Sequence, residues 1–531
     1  MPQIQKNSRM QMQVVAWEEF IAADNEVRVI DLFVDLLDLE KLGFIVKGQS
    51  HEGRPAYDTG GLLKLYLYGY FNRIRSSRQL EKAAQRNVEL FWLIDEMKPC
   101  YVTIANFRKE NTKSLERTFK TFNNFLKGQD LLNADTAAVD GTKIAAQNSK
   151  KNNYNEKKIK QHLDYIDKQT DSYLKQLEEV DQQNDSETEQ QIEIAQKLDH
   201  LTQRRQKYEG LKDQLESVRA NHQAQISTTD PDARALPKKM NIVEMSYNVQ
   251  TAVEANHKLI TNFEVTNQND TYALSSMAME AKNILEKERL KVLADKGYDT
   301  GAELKKCTEN NIETYVAPRK RKYAKKDPRF GKEKFFYEHD TNTYTCPQGK
   351  QLTTNGSWYN KYSGKDKQYR KSYLFQRFSA SFKICNQCPF KETCVGQTNL
   401  KKSKGRQIER SEYQDYVEEN QERIRSNKPL YRLRQQIVEH PFGTIKRSWG
   451  YSYTLLRGKE KVSAEMALIF TCYNLRRSIS IWGVKDLLDR LGKSVFAFLG
   501  AKWIVLNNYE AFLHKNITLP FFNFLNISLL R

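Results

Sequence analysis

The nonapeptide VLADKGYDT, residues 292–300, runs three apolar residues straight into a carboxylate, Asp295, and then turns at Gly297. The stretch AVDGT at 138–142 is built the same way around Asp140, with Gly141 next. Taken singly, an Asp before Gly at a strand end reads as a turn residue or a helix cap. Taken together, two such strands lying side by side bring two carboxylates to one end of a sheet. Their repulsion keeps one of them protonated unless a divalent cation relieves it. Hard oxygen ligands favour Mg²⁺ or Mn²⁺, and a pair of ions about 4 Å apart needs a further acidic ligand.

That third carboxylate is offered by YRLRQQIVEHPFGTIKR at 431–447, where Glu439 would lie on a helix near Arg434 and Lys446. The segment reads either as a surface ion-pair helix or as a metal ligand accompanied by phosphate-binding side chains. Pro441 predicts a kink or a helix start.

From residue 246 the apolar period is two. Tyr247, Val249, Thr251 and Val253, then Leu259, Thr261, Phe263 and Val265, predict a β-hairpin closed across residues 255–258. A helix over about 271–288 follows, then the strand ending at Asp295, a helix from about 300 and a strand Glu313–Val316. With a strand at 136–144, the order is β, long insertion, β, β, α, β, α, β. This predicts an α/β fold with a mixed sheet and helices on its faces.

Residues 1–125 read as helical. The run LLKLYLYGY at 62–70 is too continuously apolar for a surface helix. Ser76 and Ser77 offer a cap for RQLEKAAQRN, and Thr103 offers one for a single helix through Ile104, Phe107, Leu115 and Phe119. The pattern fits a helix-turn-helix-like DNA reader and equally a helical bundle with a solvated face. In the insertion after the first strand, Ile159, Leu163, Ile166, Thr170, Tyr173, Leu177 and Val180 form one heptad seam. Ile194, Leu198, Leu201, Tyr208, Leu211, Leu215 and Val218 form a second, beyond a polar break at 182–187. An antiparallel helical hairpin is expected, with a dimerising coiled coil as the alternative.

The chain carries 85 Lys and Arg against 66 Asp and Glu, a formal charge of +19. Such an excess points to a polyanionic partner, because neutralising phosphates releases counterions. The polar start MPQIQKNSRMQMQ and the lack of an apolar run able to span a bilayer predict no membrane association. Seven Cys in 531 residues predict a reducing, cytoplasmic setting rather than a disulfide framework.

The three acidic segments also carry a resemblance. VDGTK around Asp140, LADKGYD around Asp295 and VEHPFGTIKR around Glu439 resemble, in this order, the acidic motifs of bacterial insertion-sequence transposases of the DDE class. YNVQTAVEANHKLITNFEVTNQND resembles the second and third strands of their RNase H-like core, and TDPDAR at 229–234 the segment leading into it. RGKEKVSAEMALIFTCYNLRR resembles the helix after their catalytic Glu, and residues 54–87 resemble their N-terminal domain.

The resemblance implies an RNase H-like core, in which Asp140, Asp295 and Glu439 hold two Mg²⁺ or Mn²⁺ ions. Tyr431, Arg434, Glu439 and Lys446 resemble a Tyr-Arg-Glu-Lys signature, with Arg434 and Lys446 gripping phosphates. Four residues separate Arg434 from Glu439 where three are usual, so Arg432 is the alternative. Asp299 is expected to cap the following helix. The implied activity is cleavage of double-stranded DNA at the element's terminal inverted repeats and joining of the 3′ ends to target DNA. It would be carried out by a homodimer or larger assembly, cytoplasmic and nucleoid-associated. A nuclease of the same fold that does not join strands, and an inert DNA-binding scaffold, are the alternatives.

Between Asp295 and Glu439 lies a further insertion, opening with nine basic and two acidic residues at 319–334. Arg319, Lys320, Arg321 and Lys322 are candidates for a phosphate grip, with a solvated charged loop as the alternative. Cys346, Cys385, Cys388 and Cys394 then cluster, and the Cys385-Asn-Gln-Cys388 step has zinc-knuckle spacing. They read either as a structural zinc site stapling a loop-rich insert or as free thiols. The expected organisation is therefore residues 1–125, a helical DNA-binding domain, and 126–150, the first core strand. The helical hairpin spans 151–225, the rest of the sheet 226–317, and the basic, Cys-rich insertion 318–425. Core helices with Glu439 span 426–492, and a hydrophobic helical tail 493–531.

Overall fold

The computed structural model describes residues 14–46, 56–181, 189–219, 225–237, 242–319, 328–363 and 371–498. The chain divides into two compact units, Met1–Gln129 with Leu468–Arg531, and Asp130–Ala467.

The first unit is helical: α1 (Val27–Asp35), α2 (Thr59–Phe71), α3 (Ser77–Ala84), α4 (Val88–Leu93), α5 (Tyr101–Glu110) and α6 (Thr112–Gly128). Helix α2 is apolar on every side and buried accordingly, with Leu63, Leu65, Tyr66, Leu67 and Tyr70 fully enclosed. Its one charge, Lys64, pairs with Asp31 and Asp35 of α1, each at 2.6 Å. Asp58 caps it by accepting from Gly61 N at 2.5 Å. The single helix expected from Thr103 is instead two. Asn111 ends α5, its side chain donating to Phe107 O at 2.8 Å and accepting from Ile45 N at 2.9 Å. Those bonds hold the backbone out of helical geometry, and Cys100 rather than Thr103 is the N-cap. From Leu468 onward the C-terminal helical segment (Lys459–Phe498), broken at Gly483 where φ is 77°, packs in this unit. Cys472 Sγ donates to Leu67 O at 3.4 Å and Asn474 Nδ2 to Asn123 Oδ1 at 2.8 Å.

In the second unit the core strands are β1 (Thr136–Ala145), β4 (Arg234–Pro237), β5 (Val243–Glu254), β6 (Ile260–Thr266), β7 (Leu290–Ala294) and β8 (Ile312–Val316). Two short strands, β2 (Asn153–Tyr154) and β3 (Ile226–Ser227), pair at the root of the first insertion. The sheet order is β6-β5-β1-β7-β8, with β4 extending the β6 side of the long strand β5. Strand β5 is antiparallel to β1 and β6, whereas β1, β7 and β8 run parallel. This is the RNase H-like arrangement. TDPDAR proves to enter the sheet: the fully buried Asp230 accepts from Tyr247 Oη at 2.7 Å and from Gly458 N at 3.1 Å. That contact ties it to RGKEK.

Helices α7 (Glu156–Asp181) and α8 (Glu189–Arg219) form the first insertion. His162 stacks on Tyr208, Arg204 lies over Tyr165 and Lys197 over Tyr173, so the partner's number falls as the first rises and the pair is antiparallel. Ile159, Ile166, Leu201, Tyr208, Leu211 and Leu215 make a core of their own. The polar break at 182–187 lies outside the described residues.

Helices α9 (Leu274–Leu285) and α10 (Gly301–Glu309) complete the core elements before β8. The second insertion is more ordered than the loop-rich segment expected. It holds a five-stranded antiparallel sheet, β9 (Phe336–Glu338), β10 (Thr343–Thr345), β11 (Gln351–Ser363), β12 (Lys371–Ser379) and β13 (Gln407–Ser411). Between β12 and β13 lie the short helices α11 (Phe382–Asn386), α12 (Lys391–Val395) and α13 (Gln397–Lys401). Helices α14 (Gln414–Ser426) and α15 (Lys428–Phe442) return the chain to the core. Among the described residues no helix is long and apolar enough to cross a membrane.

Helix α14 closes the open edge at β8, where unpaired backbone would otherwise be exposed. The buried Asn420 donates to Val316 O and accepts from Val316 N, both at 2.8 Å, and Arg423 Nε donates to Thr314 O at 3.0 Å. Asn420→Ala strands two buried backbone groups and is expected to cost about 2–4 kcal/mol. The accompanying sign is faster hydrogen exchange at the Val316 amide; unchanged exchange there would show that the edge is closed by other contacts.

Candidate active site

The parallel ladder between β1 and β7 pairs Thr136 with Lys291 and Val139 with Ala294. One residue further, the same register sets Asp140 level with Asp295, on neighbouring strands about 4.8 Å apart. Asp295 starts a single turn of 3₁₀ helix (Lys296–Tyr298), and its carboxylate accepts from Gly297 N at 2.6 Å. Asp140 accepts from Gly141 N at 2.8 Å.

Alternation along β1 sends Asp140 and Thr142 to one face and Gly141 to the other. Helix α15 serves the first face. Arg434 Nη1 stands 3.5 Å from Asp140 Oδ2, whereas Arg432 is exposed. Pro441 has no N–H to continue the helix, and the chain widens into a π turn over Gly443–Ser448. That turn carries Lys446, whose ammonium donates to Thr142 Oγ1 at 3.0 Å and Lys143 O at 3.1 Å. Tyr431, three residues before Arg434, is half-buried. Glu439 is exposed on the same helix and accepts from Gln435 Nε2 at 2.8 Å.

The other face holds a carboxylate that sequence reasoning missed. Asp270 follows β6 and accepts at Oδ1 from Asn248 Nδ2 and Gln250 Nε2, both at 2.8 Å. A side chain on Gly141 would place its Cβ 2.4 Å from Asp270 Oδ1 and 2.5 Å from Gln250 Nε2. One on Gly297 would lie 2.7 Å from Asp295 Oδ1 and 3.3 Å from Asp270 Oδ2. Glycine therefore follows closely on Asp140, in mid-strand, and on Asp295, past the end of β7, because Asp270 occupies the floor beneath both. The signal in the sequence was Asn248 and Gln250, polar residues at alternate positions of a strand buried on both faces.

Burial pushes the Asp140 carboxyl up to about 6, against the pull of Arg434 and the Gly141 N–H, and Asp295 and Asp270 add to the rise. Arg319, expected to grip phosphate, instead clasps the second acidic motif: its side chain donates to Lys296 O at 2.9 Å and Gly297 O at 2.6 Å. Its backbone N–H donates to Asp299 Oδ2 at 2.8 Å, and Thr300 rather than Asp299 is the N-cap of α10. Lys320, Arg321 and Lys322 lie outside the described residues.

The oxygen-only donors Asp140 and Asp295 fit a hard divalent cation. Among the described residues no three His, Cys, Asp or Glu side chains stand together at metal-binding spacing. Glu439 is thus on the right helix without being gathered to the pair.

Residues 345–479 match the family described as Transposase DDE domain, a span that includes Glu439. Residues 15–110 match the family described as Transposase domain (DUF772). The resemblance to insertion-sequence transposases of the DDE class is borne out by both. No curated protein matches the chain. Among solved structures, a piggyBac transposase synaptic complex with hairpin DNA aligns at 8% identity over 95% of this chain and 86% of that one. Its TM-score of 0.31 is too low to carry an argument.

Two outcomes follow from this geometry. A carboxyl raised in the folded state favours folding at low pH, and that contribution is lost as pH rises through about 6. In metal-free protein at pH 8, Asp140→Asn is therefore expected to be more stable than wild type by on the order of 2 kcal/mol, with the gap shrinking as pH falls below about 6 and closing only below the unfolded carboxyl's 3.8. Gly141→Ala is expected to destabilise by about 1–3 kcal/mol through overpacking. A thermal melt of Gly141→Ala matching wild type would refute the crowding by Asp270.

Proposed function

We propose that this chain is a metal-dependent DNA transposase: it binds the ends of a mobile element, cleaves strands there and joins the 3′ ends to target DNA. The observation that carries the reading is the β1–β7 register, which levels Asp140 with Asp295 beneath Arg434. The two transposase-family matches support it.

Asp140 and Asp295, joined by Glu439, would hold Mg²⁺ or Mn²⁺, two ions in the complete site. Bound there, the cations supply the Lewis acidity that makes water nucleophilic near neutral pH and stabilises the departing 3′ oxygen. The protein's part is placement and charge. Arg434 keeps a cation beside the acidic pair, and its planar fork suits a phosphate as well as a carboxylate. Lys446 braces β1 two residues past Asp140, adding positive charge on the same face. Glu439, which accepts from Gln435 Nε2, would complete the ligand set for such ions. Water then attacks phosphorus at the element end, a P–O bond breaks and a 3′-OH is freed. That hydroxyl attacks a target phosphorus in the same in-line manner. Joining two ends in register requires at least two copies of the chain on DNA.

The test incubates the purified protein with labelled element ends, a plasmid target and Mg²⁺. Cleavage and strand joining are expected, both stopped by EDTA. Asp140→Asn, Asp295→Asn and Glu439→Gln should each lower the rate by about 100-fold or more while end binding persists. Cleavage without joining would mark a nuclease. Function undiminished in Asp140→Asn would mark a scaffold and end the proposal.

A further inference from the structure

Four of the seven cysteines have no part in the acidic site. Cys346, Cys385, Cys388 and Cys394 line one pocket in the second insertion, which Lys350 and Arg406 also line. They come from separate pieces of chain. Cys346 opens the tight turn after β10, where Gly349 N donates to Cys346 O at 2.8 Å and Gly349 adopts a left-handed φ of 70°. Cys385 lies in α11, Cys388 just beyond it and Cys394 in α12.

Those helices have little else to hold them. The apolar core of this insertion is Phe335, Tyr344, Leu352, Phe378, Ala380 and Ile408, with Cys346, Cys385 and Cys394 packed against it. Helices α11 and α13 bury no residue and α12 buries only Val395. Five-residue helices do not persist on their own hydrogen bonds. A segment so poor in core is the kind that a metal staples.

The surroundings are prepared for thiolates. Lys350 N donates to Cys346 Sγ at 3.3 Å and Arg406 N to Cys385 Sγ at 3.4 Å, bonds that favour charged sulfur. Arg406 reaches Cys394 O at 3.0 Å and Phe330 O at 3.1 Å, and its Nε is buried without a partner.

We propose that Cys346, Cys385, Cys388 and Cys394 bind one structural zinc ion that pins α11 and α12 to the turn after β10. Four soft sulfurs select zinc over the hard cations suited to the carboxylates. Since no three of the described side chains already stand at metal-binding spacing, binding draws the sulfurs inward from the pocket wall. Each thiol gives up a proton to become a ligand, and no oxidation occurs.

Elemental analysis of the full-length protein, produced with zinc and freed of loose metal, should find about one zinc per chain. Cys388→Ser and Cys346→Ser should lose it, whereas Asp140→Asn and Cys100→Ser should keep it, which separates this site from the acidic one. Replacement by Co²⁺ should give the visible spectrum of a tetrahedral thiolate site. In wild type, which needs no variant to fold, these four cysteines should resist alkylation until a zinc chelator is added. Absence of zinc from wild type, its retention in Cys388→Ser, or alkylation indifferent to chelator would each overturn the proposal.

Discussion

The parallel pairing of β1 and β7, which sets Asp140 in the middle of one strand beside Asp295 at the end of the other, is the constraint around which the second unit is arranged. Asp140 and Asp295 would be screened by water at a surface. At the end of a buried sheet they meet both a lowered dielectric and each other's charge. The protein answers with Arg434 beside Asp140, with Lys446 on the same face, and with the backbone N–H groups of Gly141 and Gly297. That compensation is incomplete, as the raised Asp140 carboxyl shows.

The opposite face explains why glycine stands at positions 141 and 297. Asn248 and Gln250 point from β5 into Asp270, which fills the space where side chains at 141 and 297 would otherwise project. Glycine at these positions is less a matter of φ than of room: neither has a positive φ, and each faces occupied space within a few ångströms. Arg319 then binds the carbonyls of the second turn, so a residue that reads as a free basic side chain is spent on holding Asp295 in place.

Both insertions enter where they disturb this arrangement least. The helical hairpin leaves and returns through the short β2–β3 pair and has its own core. The second insertion rejoins through α14, whose Asn420 completes the edge strand before α15 delivers Arg434 and Lys446. Long excursions are tolerated because closure entropy grows only slowly with loop length. The sheet therefore keeps its register although Asp140, Asp295 and α15 are separated by well over a hundred residues of chain at each step.

Periodicity alone determined much of this molecule. Alternation in 247–265, the apolar run of α2, the two heptad seams and the strand-end Asp-Gly and Asp-Lys-Gly signatures were legible because each is a local pattern imposed by a repeating backbone. Asp140 and Asp295 stood out in the same way, since few positions pair an apolar run with an abrupt carboxylate. Only the tertiary structure decided which partners those residues meet. It set Arg434 beside Asp140, Lys446 on β1 and Arg319 on the second turn, and revealed Asp270 under the glycines. It also assigned the C-terminal helix from Leu468 onward to the N-terminal helical unit. Such pairings depend on strand order, on the widened turn after Pro441 and on contacts between distant segments, and no spacing along the chain encodes the distance between two elements that meet only when folded.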